Sequence, residues 1–509
     1  MTDERPLHPL TDPAEWLEQI RTLTGELFSG SAFPDMIELA MATAISQRVV
    51  PDGPPVWLFF EGPPSSGKTS IVNMLKGLST APDPVTVFVP RITLGSMTSG
   101  YKDPRTGKRA PALLTEFHTR CWCNTEFSTL LTGRPEQVAP ILGVLTAAFD
   151  GDFAAAFGNV TEHGEQGSPI LHLESRFSLL GCITPEVRQQ HTDLLSRLGP
   201  RFLSYRLQPL TDEERERAFD LARQPGRAAR LKDLASLVCD HVRGVLNATV
   251  TMPVPENVDR ILRTLARLVA LGRTLVEGWD NELAAAGGED PIRVYEQLHG
   301  LLVSLGHIEG TTTPSPRALR LVRDVALSSF EPRRAEAVMV QRAWPVPAVR
   351  LHDDGERPTF LHGMTPPRLA EGAEWSQSKA ERVMQELCAL GLYAPADPTL
   401  VPLVESKPGA QPRLYEPIPA LACLLNATFE DWPPRLVTAL ELIFDGAGVF
   451  TGRLSPPDAP LAAAAAERQA VLKGKLHDTA TRLMLAHPAL AEEDPDGLAL
   501  LVIQEATGR

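Results

Sequence analysis

The stretch Val56-Trp-Leu-Phe-Phe60-Glu-Gly62-Pro-Pro-Ser-Ser-Gly67-Lys68-Thr69-Ser70 decides how the rest of the chain is read. Its first five residues form a continuous apolar run, which a strand buried on both faces of a parallel sheet requires. Gly62 to Thr69 then fits G-x-x-x-x-G-K-[ST], and the pattern from Lys68 to Leu78 predicts a helix. Strand, glycine loop and helix thus follow in the order the motif needs. Glycines let such a loop turn its backbone N–H groups inward round phosphates, Lys68 reaches the β- and γ-phosphates, and Thr69 offers a hydroxyl to Mg²⁺. A nucleoside triphosphate with Mg²⁺ is the expected ligand pair, held by Gly62, Pro63, Pro64, Ser65, Ser66, Gly67, Lys68, Thr69 and Ser70.

Upstream, apolar residues at three- and four-residue spacing predict amphipathic helices over Ala14–Phe28 and Pro34–Val49, a helical collar. Downstream, the runs Val85–Val89, Arg120–Glu126, Phe177–Thr184 and Phe202–Leu207 alternate with helical patterns, the signature of an α/β fold with a parallel sheet. From Glu256 to about Arg342 the pattern is wholly helical. Trp344-Pro-Val-Pro347 reads as a linker, and Thr365 to Tyr415 as helix, turn, helix and two short extended segments. The expected division is 1–50 collar, 51–250 P-loop ATPase core, 251–345 helical lid, 346–434 winged helix-turn-helix and 435–509 helical tail. The tail carries the run Ala462–Ala466, which reflects helix propensity.

The acid that supports Mg²⁺ normally ends the third strand, yet here Asn124 and Thr125 stand there and Glu126 is the carboxylate on offer. Glu126 is therefore assigned both to the metal, with Thr69, and to polarising the attacking water, a double duty that points to slow hydrolysis.

The 509 residues suggest three or four domains. A net charge of −14 argues against a protein that coats nucleic acid by bulk charge. Six cysteines without a C-x-x-C pair or neighbouring histidines make neither a disulfide framework nor a zinc site, and a reduced cytoplasm fits. No apolar stretch approaches the roughly 20 residues that cross a bilayer.

The order of segments resembles an AAA+ ATPase, more narrowly the primase-helicase-like AAA+ proteins of phages and integrated elements. The resemblance spans about residues 30 to 210. It rests on the phosphate loop followed by Arg91-Ile-Thr-Leu-Gly-Ser-Met-Thr-Ser-Gly100, Ala112-Leu-Leu114, Thr125-Glu-Phe-Ser128, Phe149-Asp-Gly151, Gly181-Cys-Ile-Thr-Pro185 and Leu198-Gly-Pro-Arg-Phe202. It implies that Thr184 senses the γ-phosphate. It also makes Arg201 similar to the arginine finger of minichromosome-maintenance-type helicases, with Arg206 as the fallback. Asp290-Pro-Ile-Arg293 and the leucines after it resemble the lid of MoxR-type ATPases, which makes Arg293 a second sensor, with Arg317 competing. A finger and a lid arginine together imply an active site between subunits of a ring, most often a hexamer in this class.

Two segments are candidates for nucleic acid. Tyr101 to Arg109 carries Lys102, Arg105, Lys108 and Arg109 against one acid, where ring ATPases carry a pore loop. In the helix-turn-helix pattern, Lys379 and Arg382 lie at the exposed start of the second helix. Residues 364 to 415 nevertheless hold five basic and six acidic residues, so a protein partner is as well supported as DNA. Phe149, Phe153 and Phe157 fall at four-residue spacing and predict one packed helix face, beside which Asp150 and Asp152 are weak metal candidates. Two functions follow: an oligomeric ATPase that translocates on or remodels DNA, as a helicase, loader or initiator of a mobile element or defence system, or a nucleotide-gated scaffold whose winged helix grips a protein.

Overall fold

The computed structural model describes residues 12–418 except 81, 100, 103–106, 108, 157–169, 192–194, 196–200, 249–251, 279–282, 344–345, 351–358, 397–399 and 403–412, and beyond 418 only 421, 422 and 425. The described residues fall into two compact units, one within Met1–Arg273 and Glu289–Pro332, the other within Thr274–Gly288 and Arg333–Arg509.

In the first unit, helices α1 (Pro13–Leu27) and α2 (Ala32–Val49) lead into β1 (Trp57–Glu61) and α3 (Lys68–Asn73). The chain continues through β2 (Thr86–Phe88), α4 (Leu94–Thr98), a hairpin of β3 (Tyr101–Lys102) and β4 (Arg109–Ala110), α5 (Leu113–Phe117), β5 (Cys121–Asn124), α6 (Phe127–Leu131) and α7 (Pro135–Phe149). A second hairpin, β6 (Asp152–Ala156) and β7 (Ile170–Glu174), precedes β8 (Ser178–Ile183), α8 (Pro185–Gln190) and β9 (Leu203–Arg206). Helices α9 (Asp212–Ala222), α10 (Arg227–Asn247), α11 (Glu256–Arg273), α12 (Ile292–Glu309) and α13 (Pro316–Ser328) complete the unit.

The five expected core strands form one parallel sheet in the order β2-β5-β8-β1-β9. β1 is therefore interior, paired to β8 from Trp57↔Leu179 to Glu61↔Ile183, and its five residues are all buried. One sheet face carries an aromatic core. The rings of Phe59 and Phe202 stack at 4.2 Å, Phe117 and Trp122 at 5.2 Å, and Trp57 meets Phe149 edge-on at 5.0 Å. The other face is covered by α2, which is itself covered by α12. Every residue of α2 from Asp35 to Gln47 is buried, so this helix is packed all round and not amphipathic as its spacing suggested.

Other expectations are corrected. The helix expected over Lys68–Leu78 ends at Asn73 and continues as a 3₁₀ turn, Met74–Ser79, where a Cβ on Gly77 would meet Cys239 Sγ of α10 at 2.9 Å. The expected helix face of Phe149, Phe153 and Phe157 does not form. Gly151, at φ +89°, turns the chain after α7, and Phe153 lies in β6, while Phe157 is outside the described residues.

The second unit holds the hairpin β10 (Leu275–Glu277) with β11 (Ala284–Ala286), which interrupts the wholly helical stretch expected there, and α14 (Pro332–Ala343). The expected linker at Trp344–Pro347 instead runs into β12 (Val346–Arg350), the middle strand between β13 (Thr359–Gly363) and β15 (Leu400–Pro402). Pro347 is tolerated because β15 pairs only with Ala348–Arg350, leaving Pro347 a partner on one side alone. Helices α15 (Pro366–Gly372) and α16 (Gln377–Ala389) and strands β14 (Tyr393–Pro395) and β16 (Tyr415–Pro417) follow the helix, turn, helix and extended pattern. The tail from Arg435, with Ala462–Ala466, lies outside the described residues.

Candidate functional site

In open parallel sheets, ligands bind outside the carboxyl ends of the strands, and the glycine loop leaves β1 at that edge. Gly62 N–H donates to Ile183 O at 3.3 Å, tying the loop's start to the end of β8. Two residues turn the loop through left-handed backbone, Ser65 at φ 62° and Gly67 at φ 81°. Gly67 is also required sterically, since a Cβ there would lie 2.5 Å from Cε1 of Phe33. Phe33, stacked on Phe28 at 4.7 Å, brings the start of α2 against the loop.

Lys68 closes the loop on itself. Its Nζ donates to Gly62 O (2.6 Å), Pro63 O (2.7 Å) and Ser66 Oγ (3.1 Å), so an ammonium that is only 7% exposed keeps all three donors satisfied. Burial lowers its pKa, opposed by the fields of Cys182, Glu186 and Glu61. Pro63, Pro64, Ser65, Thr69 and Ser70 are exposed, leaving the hydroxyls of Thr69 and Ser70 open at the start of α3.

Beside the loop lies a cavity of about 250 Å³. Its walls are Pro63 to Ser66, Gly30 to Phe33 before and at the start of α2, and Leu207 to Leu210 after β9, with Glu214 and Arg215 of α9 at its rim. Leu207 fits closely over the loop, its Cδ1 3.0 Å from where a Cβ on Gly62 would stand.

The other predicted residues divide by position. Thr184 follows Ile183 directly, caps α8 and is half-buried, so it stands beside the loop. Asn124 ends β5 and is buried. Its Oδ1 accepts from Glu126 N at 2.9 Å, and its Nδ2 has no hydrogen-bond partner among the described residues. Glu126 is exposed at the start of α6. Thr69 at the start of α3 and Glu126 after β5 carry oxygens of the kind a hard cation takes, but with Asn124 in place of an acid they supply a single carboxylate.

Arg201 and Arg293 converge on one ring at the opposite edge of the sheet. Their guanidinium carbons lie 5.5 and 5.9 Å from the Phe149 centroid, and Arg201 pairs with Asp150 at 2.9 Å. Phe149 packs on Trp57, the first residue of β1, while the loop leaves from the last, Glu61. Trp57 and Glu61, the two ends of β1, lie about 13 Å apart, so these arginines gather at one end of the strand and the phosphate loop leaves the other. Arg206 is drawn inward, its Nη2 2.7 Å from Glu61 Oε1. Arg317 is committed to α2, with Nη2 2.7 Å from both Asp35 Oδ1 and Glu38 Oε1.

Of the nucleic-acid candidates, Lys102 and Arg109 lie in the β3–β4 hairpin, while Arg105 and Lys108 fall outside the described residues. In the second unit the Lys379 ammonium sits 4.0 Å over the Trp375 ring, and Arg382 meets Glu386 at 3.4 Å. Among the described residues no group of three or more His, Cys, Asp or Glu could hold a metal, and no helix is long and apolar enough to cross a membrane.

Sequence reasoning passed over Glu61, Arg188 and Phe33. Glu61 was the most visible, as the one charged residue closing an apolar strand. Its carboxylate is fully buried between Arg206 and Arg188. Burial alone would raise its pKa, but the two guanidiniums outweigh that and hold it below the usual carboxylate range. No family model matches this sequence, and no curated protein is significantly similar to it.

Proposed function

We propose that this chain is an AAA+-type ATPase, binding ATP with Mg²⁺ at the loop Gly62–Ser70 and hydrolysing it to move or remodel DNA. The observation that carries the nucleotide reading is the junction of three features at the carboxyl edge of β1. These are a glycine loop closed by the buried Lys68, the half-buried Thr184 beside it, and a cavity of about 250 Å³ continuous with the loop. Phosphate oxygens can replace the loop carbonyls round Lys68, and the cavity, walled by Phe33, Leu207 and Leu210 among others, suits a base and sugar. Mg²⁺, when bound, neutralises charge on the phosphates; Thr69 and Glu126 would hold it, and Glu126 orients the attacking water. Arg201 and Arg293, remote from their own chain's loop, serve a neighbouring subunit's nucleotide in a ring, most simply a hexamer. DNA contact falls to the segment from Tyr101 to Arg109, with Lys102 and Arg109 in the β3–β4 strands and Arg105 and Lys108 outside the described residues.

A second reading, a nucleotide-gated scaffold with little turnover, is favoured by two observations. Asn124 leaves the third strand without its acid, and Lys379 and Arg382 are engaged with Trp375 and Glu386 instead of standing clear for phosphates. In that reading the helix-turn-helix of the second unit binds a protein.

Steady-state ATP hydrolysis with and without single- and double-stranded DNA, with Lys68→Ala as background, separates the two. Turnover above background and raised severalfold by DNA is expected of the motor, and loss of that stimulation in Lys102→Ala/Arg105→Ala would assign the hairpin. ATP bound without turnover under any condition refutes the motor and leaves the scaffold. No ATP binding by the folded chain refutes both.

A further inference from the structure

We propose that Glu61 is the positioning residue of this site, holding the γ-phosphate side and the nucleoside side in register from beneath the phosphate loop. The inference rests on the nucleotide reading above. Glu61 is the last residue of β1 and fully buried, and it immediately precedes Gly62. One carboxylate oxygen takes Arg206 Nη2 at 2.7 Å, and the other takes Arg188 Nη1, which also donates to Ser204 Oγ at 2.8 Å.

Each arginine governs a different wall. Arg188 lies one helical turn after Thr184, with its N–H bonded to Thr184 O at 3.0 Å, so the Arg188 arm fixes the turn that carries Thr184. Arg206 ends β9 and leads directly into Leu207 to Leu210, the cavity wall, and Leu207 N–H donates to Glu61 O at 2.8 Å. A buried carboxylate is a poor choice for packing alone, because its neighbours Leu58, Phe59 and Phe60 fill the same strand without any desolvation cost. A charge that satisfies two guanidiniums instead fixes a single geometry for both arms.

The test uses the full chain and compares Arg188→Gln, Arg206→Gln and Glu61→Gln. ADP and a non-hydrolysable ATP analogue with Mg²⁺ are titrated per folded protein, and melting is followed without nucleotide. Arg188→Gln is expected to weaken the ATP analogue roughly tenfold while ADP stays within about twofold, whereas Arg206→Gln weakens both ligands alike and Glu61→Gln combines the two effects. Lower melting temperatures with unchanged affinities in all three variants would make the triad a structural ion pair and overturn the proposal. Should Glu61→Gln fail to fold, the contrast between the two arginine variants decides it, and equal losses of both ligands in both overturn it. A wild-type chain that binds neither ligand refutes the nucleotide reading itself, which wild-type binding with unchanged variants does not.

Discussion

Acidification from pH 7 to pH 5 is expected to weaken the first unit through one histidine. His241 of α10 is fully buried, with Nε2 2.9 Å from Ile308 O of α12 and no hydrogen-bond partner for Nδ1 among the described residues. Burial depresses its pKa to about 4; the Ile308 carbonyl and Glu38 oppose the shift, and Arg21 adds to it. A histidine in the unfolded chain titrates near 6.5, so between these values the unfolded state binds the extra proton. Stability from this group is therefore complete above about pH 6.5 and lost as pH falls toward 4. Linkage over that interval gives a loss of about 2 kcal/mol between pH 7 and pH 5 from His241 alone. His241→Gln keeps a neutral donor for Ile308 O and titrates at no pH, while retaining His299 and His307, whose pKa values burial also lowers. Urea unfolding followed by tryptophan fluorescence at both pH values, for wild type and variant, yields the difference of differences. Equal pH dependence in the two proteins, within about 0.5 kcal/mol, would refute a buried neutral His241.

Three further expectations concern the loop and helix α2. Ser65→Gly relieves a left-handed serine worth about 1–2 kcal/mol, partly offset by glycine's freer unfolded chain. Melting should hold or rise and nucleotide affinity should persist, and a tenfold loss of affinity would show that the Ser65 side chain itself is needed. The mirror change Gly67→Ala combines the same backbone penalty with the 2.5 Å approach to Phe33 and should abolish binding. Glu38→Gln removes a carboxylate that is 1% exposed and shared by Arg21 and Arg317, costing about 3 kcal/mol of stability. If Arg317 acts structurally, hydrolysis per folded molecule stays unchanged in that variant, and a selective loss of hydrolysis would return Arg317 to the role of sensor.

The elements best read from sequence were those whose own composition fixes their burial. Val56–Phe60, the Cys-Trp-Cys centre of Arg120–Glu126 and the middle of Phe177–Thr184 are apolar stretches too short for helices, and each lies in an interior strand of the sheet. Patterns that depend on a distant partner misled. Helix α2 reads as amphipathic until α12 covers its second side, and Phe149 and Phe153 share a helix face only if Gly151 is ignored. Arg201, Arg206, Arg293 and Arg317 are indistinguishable as sequence. Which one meets phenylalanine, aspartate or glutamate is set by the strand order and by which helices pack together, which no local pattern encodes.

That same strand order determines the charge presented at the loop. Lys68, Arg188 and Arg206 gather at the carboxyl ends of β1, β8 and β9 with Glu61 and Glu186 among them, and Glu126 follows the end of β5. In the proposed nucleotide reading, Asn124 adds no negative charge, so less would oppose a triphosphate than with an aspartate, and less would hold a cation firmly. On that reading, the neutral residue at the end of β5 favours retaining a triphosphate over cleaving it. Asn124→Asp is the change that would reverse that preference, raising the Mg²⁺ dependence of both binding and turnover.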